Sequence, residues 1–247
     1  MAIVPDSKFD TYKKKILNLP MDYQEEDLKS ETFLLEKDEK KHLEIYYAPF
    51  EYVNEDAKVM IVGITPGFHQ MKKSYSTILD PKNKGFSKEQ LLHQVKKNSS
   101  FEGPMRKNLI HMLDELGLHA YLDISSTSEL FRTASHLVQT ASVIRYPVFY
   151  KGKNYSGSTP KMLKTELLKK HITESFTNEL VSLQNPLIIP LGVNVTGVFD
   201  FLAENDYVSR DSVLYGFPHT SGGNGHRHRQ FAENKEQMKR KLATYFS

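Results

Sequence analysis

Apolar residues along this chain come in short bursts between long polar stretches, and the spacing within each burst predicts its conformation. Val59-Met60-Ile61-Val62 and Leu187-Ile188-Ile189-Pro190-Leu191 are unbroken apolar runs, the pattern of strands covered on both faces. Leu43, Ile45 and Tyr47 alternate with polar residues, which suits a half-buried strand, and residues 141–144 read as another strand ending near Pro147. Helical spacing recurs elsewhere. Residues 103–117 carry Leu109, Leu113 and Leu116 on one face, with Gly117 placed to close the helix. Residues 10–17 predict a short helix that Pro20 ends, residues 162–183 a mostly helical stretch, and residues 196–202 and 230–246 two more helices. Residues 72–100 are polar and lysine-rich, with turn signals at Asp80-Pro81 and Asn83-Lys84-Gly85.

Strands alternating with helices predict an α/β protein, a three-layer α/β/α sandwich around a central, mostly parallel sheet of four or five strands. Residues 1–58 read as an amino-terminal extension packed on the core, and residues 59–247 as one globular domain. Two turns stand out. Gly63-Ile64-Thr65-Pro66-Gly67-Phe68-His69 follows the first buried run, and Pro218-His219-Thr220-Ser221-Gly222-Gly223-Asn224-Gly225-His226-Arg227 follows Val213-Leu214-Tyr215. In an open α/β sheet, ligands bind at the carboxyl ends of strands, so the two turns are expected to form two walls of one site.

Composition narrows the chemistry. The chain has 247 residues, 39% hydrophobic and 26% charged, which is ordinary for a globular protein. No apolar run approaches the roughly 18 residues that span a bilayer, so no membrane partner is expected. The amino terminus lacks the basic-then-apolar pattern of a secretory signal, and a cytoplasmic location is the expectation. Absence of cysteine removes disulfides, thiolate zinc sites and cysteine-ligated iron–sulfur clusters. His219, His226 and His228 have no carboxylate at ligand spacing, so no metal is expected.

Neither of the two glycine-rich nucleotide fingerprints occurs, nor the G-x-S-x-G nucleophile elbow; without thiols, the nucleophile options are Ser, Thr, Asp or water. His219 beside Thr220, Ser221, Gly222 and Gly223 puts a donor side chain on a loop of accessible N–H groups, which favours an anion. The net charge of +3 permits a nucleic-acid partner without requiring one. The densest basic run, from Arg227 to Lys241, follows the second turn and reads either as a phosphate grip or as a solvated helix face.

Several segments, in order, resemble the uracil-DNA glycosylase superfamily. Gly63-Ile64-Thr65-Pro66-Gly67 is similar to the G-x-N-P-G motif of the mismatch-specific branch. Phe101-Glu102-Gly103 and the helix after it resemble the F-x-G segment of the bacterial thermostable branch, here without its iron–sulfur cluster. Residues 140–147 resemble the T-N-x-x-K-x-x-P strand, residues 187–192 the apolar strand after it, and Pro218-His219-Thr220-Ser221-Gly222 the closing H-P-S-P or H-P-S-G motif.

The resemblance implies a monofunctional DNA glycosylase that uses no metal or cofactor. It would flip a uracil or modified pyrimidine out of single- or double-stranded DNA and hydrolyse its N-glycosidic bond. His219 would stabilise the departing base and Thr65 would place water. Gly63, Ile64, Phe101 and Ser142 would contact the base. Ser221, Gly222, Asn224, Arg227 and Arg229 would meet the DNA backbone.

Thr65 stands where the family carries Asp, Glu or Asn, which makes His69 and Asp80 auxiliary candidates for handling water. Ser142 stands where the family carries a base-reading Asn, which makes room for a larger base. Two alternatives therefore stand beside uracil removal: a glycosylase for hypermodified phage pyrimidines acting in defence, and a catalytically weak member that binds nucleic acid. A monomer is the expectation.

Overall fold

A computed structural model describes residues 2–247. Its strands are β1 (Ala2–Ile3), β2 (Leu34–Asp38), β3 (Leu43–Tyr46), β4 (Tyr52–Val53), β5 (Val59–Gly63), β6 (Val138–Ser142), β7 (Val148–Tyr150), β8 (Lys153–Asn154) and β9 (Leu187–Pro190). The longer helices are α1 (Phe9–Leu17), α2 (Phe68–Leu79), α3 (Lys88–Ser99), α4 (Pro104–Leu116), α5 (Val193–Glu204) and α6 (Arg227–Tyr245). The chain divides into two compact units. One takes the residues up to Val53 together with Thr65–Ser100 and Ile144–Phe176; the other takes Asn54–Ile64, Phe101–Val143 and Thr177–Ser247.

The second unit is built on a parallel sheet in the order β6-β5-β9. Every residue of β5 is buried, and so is every residue of β9, as their unbroken apolar sequences require. In register, Gly63 pairs with Ser142 on one side and Val62 with Pro190 on the other. The sheet has three strands rather than the expected four or five. Val213 adds a single parallel bridge to Ile188, and the chain then leaves for the second turn before a fourth strand forms. Leu109, Met112, Leu113 and Leu116 of α4 pack with Phe231, Met238 and Leu242 of α6 in the same core as Ile61, Ile189 and Leu191. Burying the four apolar side chains of α4 contributes at most about 6–12 kcal/mol before chain entropy is set against it.

The first unit is antiparallel, so the chain is mixed α/β and not mostly parallel. Its sheet runs β2-β3-β7-β8, with β1 and β4 paired separately. Leu43 faces Tyr150 and Ile45 faces Val148 across β3 and β7. An aromatic core fills it: Tyr12 stacks on Tyr47 at 4.1 Å and Phe33 meets Tyr75 edge-on at 5.1 Å. The buried Glu51 carboxylate accepts from Ser7 Oγ, from the amides of Lys8 and Phe9 at the start of α1, and from the Tyr146 hydroxyl at 2.7 Å.

Most predicted elements lie within a few residues of their expected places. The main exceptions are α2 and α3, which occupy the polar, lysine-rich stretch for which the sequence predicts only turns. Met71, Tyr75 and Ile78 are the buried stripe of α2; Leu91, Leu92 and Val95 are that of α3. Turn signals at Asp80-Pro81 mark only the short link between the two helices. The predicted strand at residues 141–144 begins earlier, at Val138.

Candidate functional site

The site follows from the order of the parallel strands. β5 lies between β6 and β9: the chain leaving its carboxyl end goes on to β6 on one side, while the chain leaving β9 reaches the Val213 bridge on the other, the reversal at which ligands bind in open parallel sheets. Gly63 closes β5 at that point. A Cβ on Gly63 would lie 3.1 Å from the ring of Phe101 and 3.7 Å from Ser142 Oγ. Glycine is therefore what lets the Phe101 ring sit on the strand end. Phe101 is buried with φ of 54°, a conformation costing a bulky side chain about 1–3 kcal/mol.

The neighbouring strand end repeats the arrangement. Gly192, just beyond β9, has φ of 86°, and a Cβ there would lie 2.8 Å from His219 Cβ and 3.1 Å from its backbone nitrogen. Its amide donates to the Phe217 carbonyl at 3.0 Å, which ties the second turn to the end of β9. The turn is held from another side by α4, where Asn108 Nδ2 donates to the Thr220 carbonyl at 2.9 Å. Gly63, Phe101 and Ser142 thus lie at the ends of β5 and β6, and His219 lies at the end of β9. Adjacent strands are about 5 Å apart.

His219 is half-buried, and loss of water around it lowers its pKa below the ordinary 6.5. Its Nδ1 lies 2.9 Å from Ser221 Oγ and 3.4 Å from the Ser221 amide, which donates to it. Nδ1 is therefore an acceptor, and in the neutral ring the proton is on Nε2. Nε2–H has no partner among the described residues. The site presents a fixed, uncharged donor.

The remaining predicted residues separate by role. Ile64 is buried beside Gly63 in sequence. The Thr65 hydroxyl donates to the Tyr146 carbonyl at 2.7 Å and accepts from the Val148 amide at 3.0 Å. Its proton is committed to this clip, so it can offer water only one lone pair. Asp80 accepts the Lys82 amide at 2.9 Å and starts a short helical turn, and His69 is exposed on α2. Asn224 is turned inward: its side-chain nitrogen donates to the His219 carbonyl at 3.0 Å and to Gln230 at 2.9 Å. Arg227 donates to the Asn224 carbonyl at 3.1 Å, and Arg229 is exposed 3.6 Å from Glu233. Gly222 lies in open space.

Sequence reasoning missed Asn108 and the Gly192–His219 contact. Gly192 left a signal, an abrupt glycine after an apolar strand. Asn108 left none, being one polar residue on a helix flank. Among the described residues there is no cluster of His, Asp or Glu able to hold a metal ion, and no helix is long and apolar enough to cross a membrane.

No family model and no solved structure matches the chain. Over 245 residues it is 38% identical to the "Uncharacterized protein YoxB" of Bacillus subtilis (strain 168), covering 98% of this chain and 95% of that protein. The chain belongs to the same family as YoxB.

Proposed function

We propose that the chain is a monofunctional DNA glycosylase of the uracil-DNA glycosylase kind, folded as the sandwich that this resemblance implies. Its substrate is a flipped-out uracil or modified pyrimidine. The observation that carries the reading is the pair of adjacent strand ends, each followed closely by a glycine, that set Phe101 against the end of β5 and His219 against the end of β9. When the N-glycosidic bond breaks, the sugar becomes cationic and negative charge gathers on the base carbonyl. A donor already oriented toward that oxygen stabilises the charge without reorganising, and His219 Nε2–H, with Nδ1 fixed by Ser221, is such a donor. Phe101 supplies an aromatic wall for the ring.

No carboxylate is assigned to water in this scheme. Bond breaking runs ahead of water attack, and leaving-group stabilisation by His219 provides most of the rate. Thr65 acts through its clip, setting the path of the turn that follows Gly63.

Ser142 favours the second reading, a larger modified pyrimidine. Its hydroxyl stands opposite Gly63, where a longer amide would reach further across the crevice.

The test is to incubate the protein with single- and double-stranded oligonucleotides bearing uracil, hypoxanthine or modified cytosines, then treat with alkali. Scission at the marked base is expected for at least one of them. Intact strands with every substrate would sink the enzyme reading.

A further inference from the structure

Of the six Lys and Arg on α6, three are in ion pairs. Lys235 pairs with Glu115 at 2.7 Å, Lys241 with Asp211 at 3.5 Å, and Arg229 with Glu233. Over the whole parallel unit, 11 Lys and Arg stand against 14 Asp and Glu. The antiparallel unit has 22 against 16, so it holds all of the chain's positive excess. Within it, residues 144–176 have seven basic residues against two acidic ones.

Four of those seven, Lys151, Lys153, Lys161 and Lys164, fall in a stretch without a single acid, and all four are exposed. None has an ion-pair partner among the described residues. The stretch is also held in shape. Tyr150 and Lys153 pair across a two-residue hairpin turn whose carbonyl at Gly152 accepts from Lys29 at 3.0 Å. Asn154 accepts the Phe68 amide at the start of α2, and the buried Tyr155 ring anchors the loop, its hydroxyl donating to the Pro160 carbonyl. Glu39 lies 3.3 Å from Lys37 and Glu25 lies 3.1 Å from Lys29, while Glu39 and Glu44 line the same cavity as Lys151 without an ion pair to it.

Lys151 adds a second kind of evidence. Both residues of the turn have positive φ, 51° at Lys151 and 72° at Gly152. Asn, Asp or Gly fits the first of these positions with less strain than lysine does. Conformation does not explain lysine there, whereas charge does.

We propose that the hairpin tip and the loop after it, residues 151–164, form a platform that holds the phosphodiester backbone of DNA. The inference rests on the reading of the substrate as DNA. Four ammonium groups without a carboxylate partner, Lys151 lying 5.4 Å over the Tyr150 ring, stand on a pinned, hydroxyl-rich loop and suit a polyanion whose charges repeat along a chain, and binding there releases condensed counterions.

The test is binding of fluorescein-labelled single- and double-stranded oligonucleotides of ordinary bases, followed by anisotropy at several salt concentrations. Each phosphate contact contributes about 0.9 to the slope of log affinity against log salt on duplex DNA. The variant K151N/K153Q/K161Q/K164Q is expected to lower that slope by about 2–4 and to weaken binding at least about tenfold at low salt. Lys151→Asn alone is expected to melt at or above the wild-type temperature and still to lower the slope by about 1, which separates charge from folding. Neutralising Lys235, Lys239 and Lys241 on α6 is expected to leave the slope nearly unchanged. An unaltered slope in the fourfold variant overturns the proposal, as does wild-type protein with no salt-dependent DNA binding. Loss of affinity for polyglutamate but not for DNA overturns it equally. Because ordinary bases suffice, failure to excise any base bears on the enzyme reading alone.

Discussion

The two units divide chemistry and charge between them. The parallel unit has the strand-end glycines, the aromatic wall and the neutral histidine donor, yet its formal charge is negative, with 11 basic residues against 14 acidic. The antiparallel unit contains the Thr65 clip, the exposed His69 and the half-buried Asp80, and it holds the basic excess. A net charge of +3 conceals this division, because it sums a positive and a negative body. The difference teaches that counting lysines near a motif in sequence is a poor guide to where a polyanion would lie. Carboxylates brought in by folding decide which lysines stay unpaired.

The sharpest way to break the comparison is His219→Ala. Under the proposed function, the rate of base release is expected to fall by at least about two orders of magnitude, as on removing an oxyanion donor, while DNA affinity stays within about twofold. Single-turnover excision and anisotropy measure the two effects separately. Equal losses in both would erase the division.

Glu51→Gln attacks the other unit. Each carboxylate oxygen accepts two donors, so the amide nitrogen of Gln must face two of them. A loss of about 3 kcal/mol or more in unfolding stability is expected from urea titration. A change under about 1 kcal/mol would show that this network does not hold α1.

Gly192→Ala joins stability to chemistry in the parallel unit. The new Cβ meets His219 Cβ and backbone at a positive φ, so the second turn must shift. Destabilisation of about 1–3 kcal/mol is expected, with a fall in excision of about tenfold or more. Wild-type activity in a stable Gly192→Ala protein would show that His219 is not held by this contact.

The pH dependence tests the charge state of His219. Burial lowers its pKa, so the ring is neutral at pH 7 and above. Excision limited by this donor is expected to stay flat from about pH 7 to 8.5, whereas dependence on an imidazolium would make it fall as pH rises. The stability sign is the reverse of a salt-bridged histidine. As pH falls through about 6.5 the unfolded chain takes up the proton first, and stability drops.

The smallest expected effect is Thr220→Val. The Thr220 hydroxyl is fully buried without a hydrogen-bond partner, so its removal is expected to raise stability by up to about 1–2 kcal/mol. Destabilisation measured by thermal melting would reveal a partner for that hydroxyl.

Much of the architecture was legible in the sequence where burial imposes a regular pattern. Val59 to Val62 and Leu187 to Pro190 declared themselves because a strand covered on both faces leaves no position for a polar residue. The α4 helix did so through the spacing of its leucines and the closing Gly117, whose φ is 80°. α2 and α3 stayed hidden, since their buried faces include the polar Ser74, Thr77, Lys96 and Ser99, which break the apolar period. β7 and β8 were invisible for another reason: they are too short to show a period.

By itself, then, the sequence determined that this is an α/β chain with buried strands and two glycine-rich turns, one bearing Gly63 at a strand end and the other bearing His219. Hydrophobic periodicity and backbone preference are local, and local physics sufficed. Only the tertiary structure decided that Gly192 lies against His219, that Thr65 is committed to the Tyr146–Val148 backbone, that Asn224 faces inward, and that Lys235, Lys241 and Arg229 of α6 are matched by Glu115, Asp211 and Glu233. Most of these contacts join residues far apart in the chain, and pairings over such separations leave no periodic trace in the order of residues.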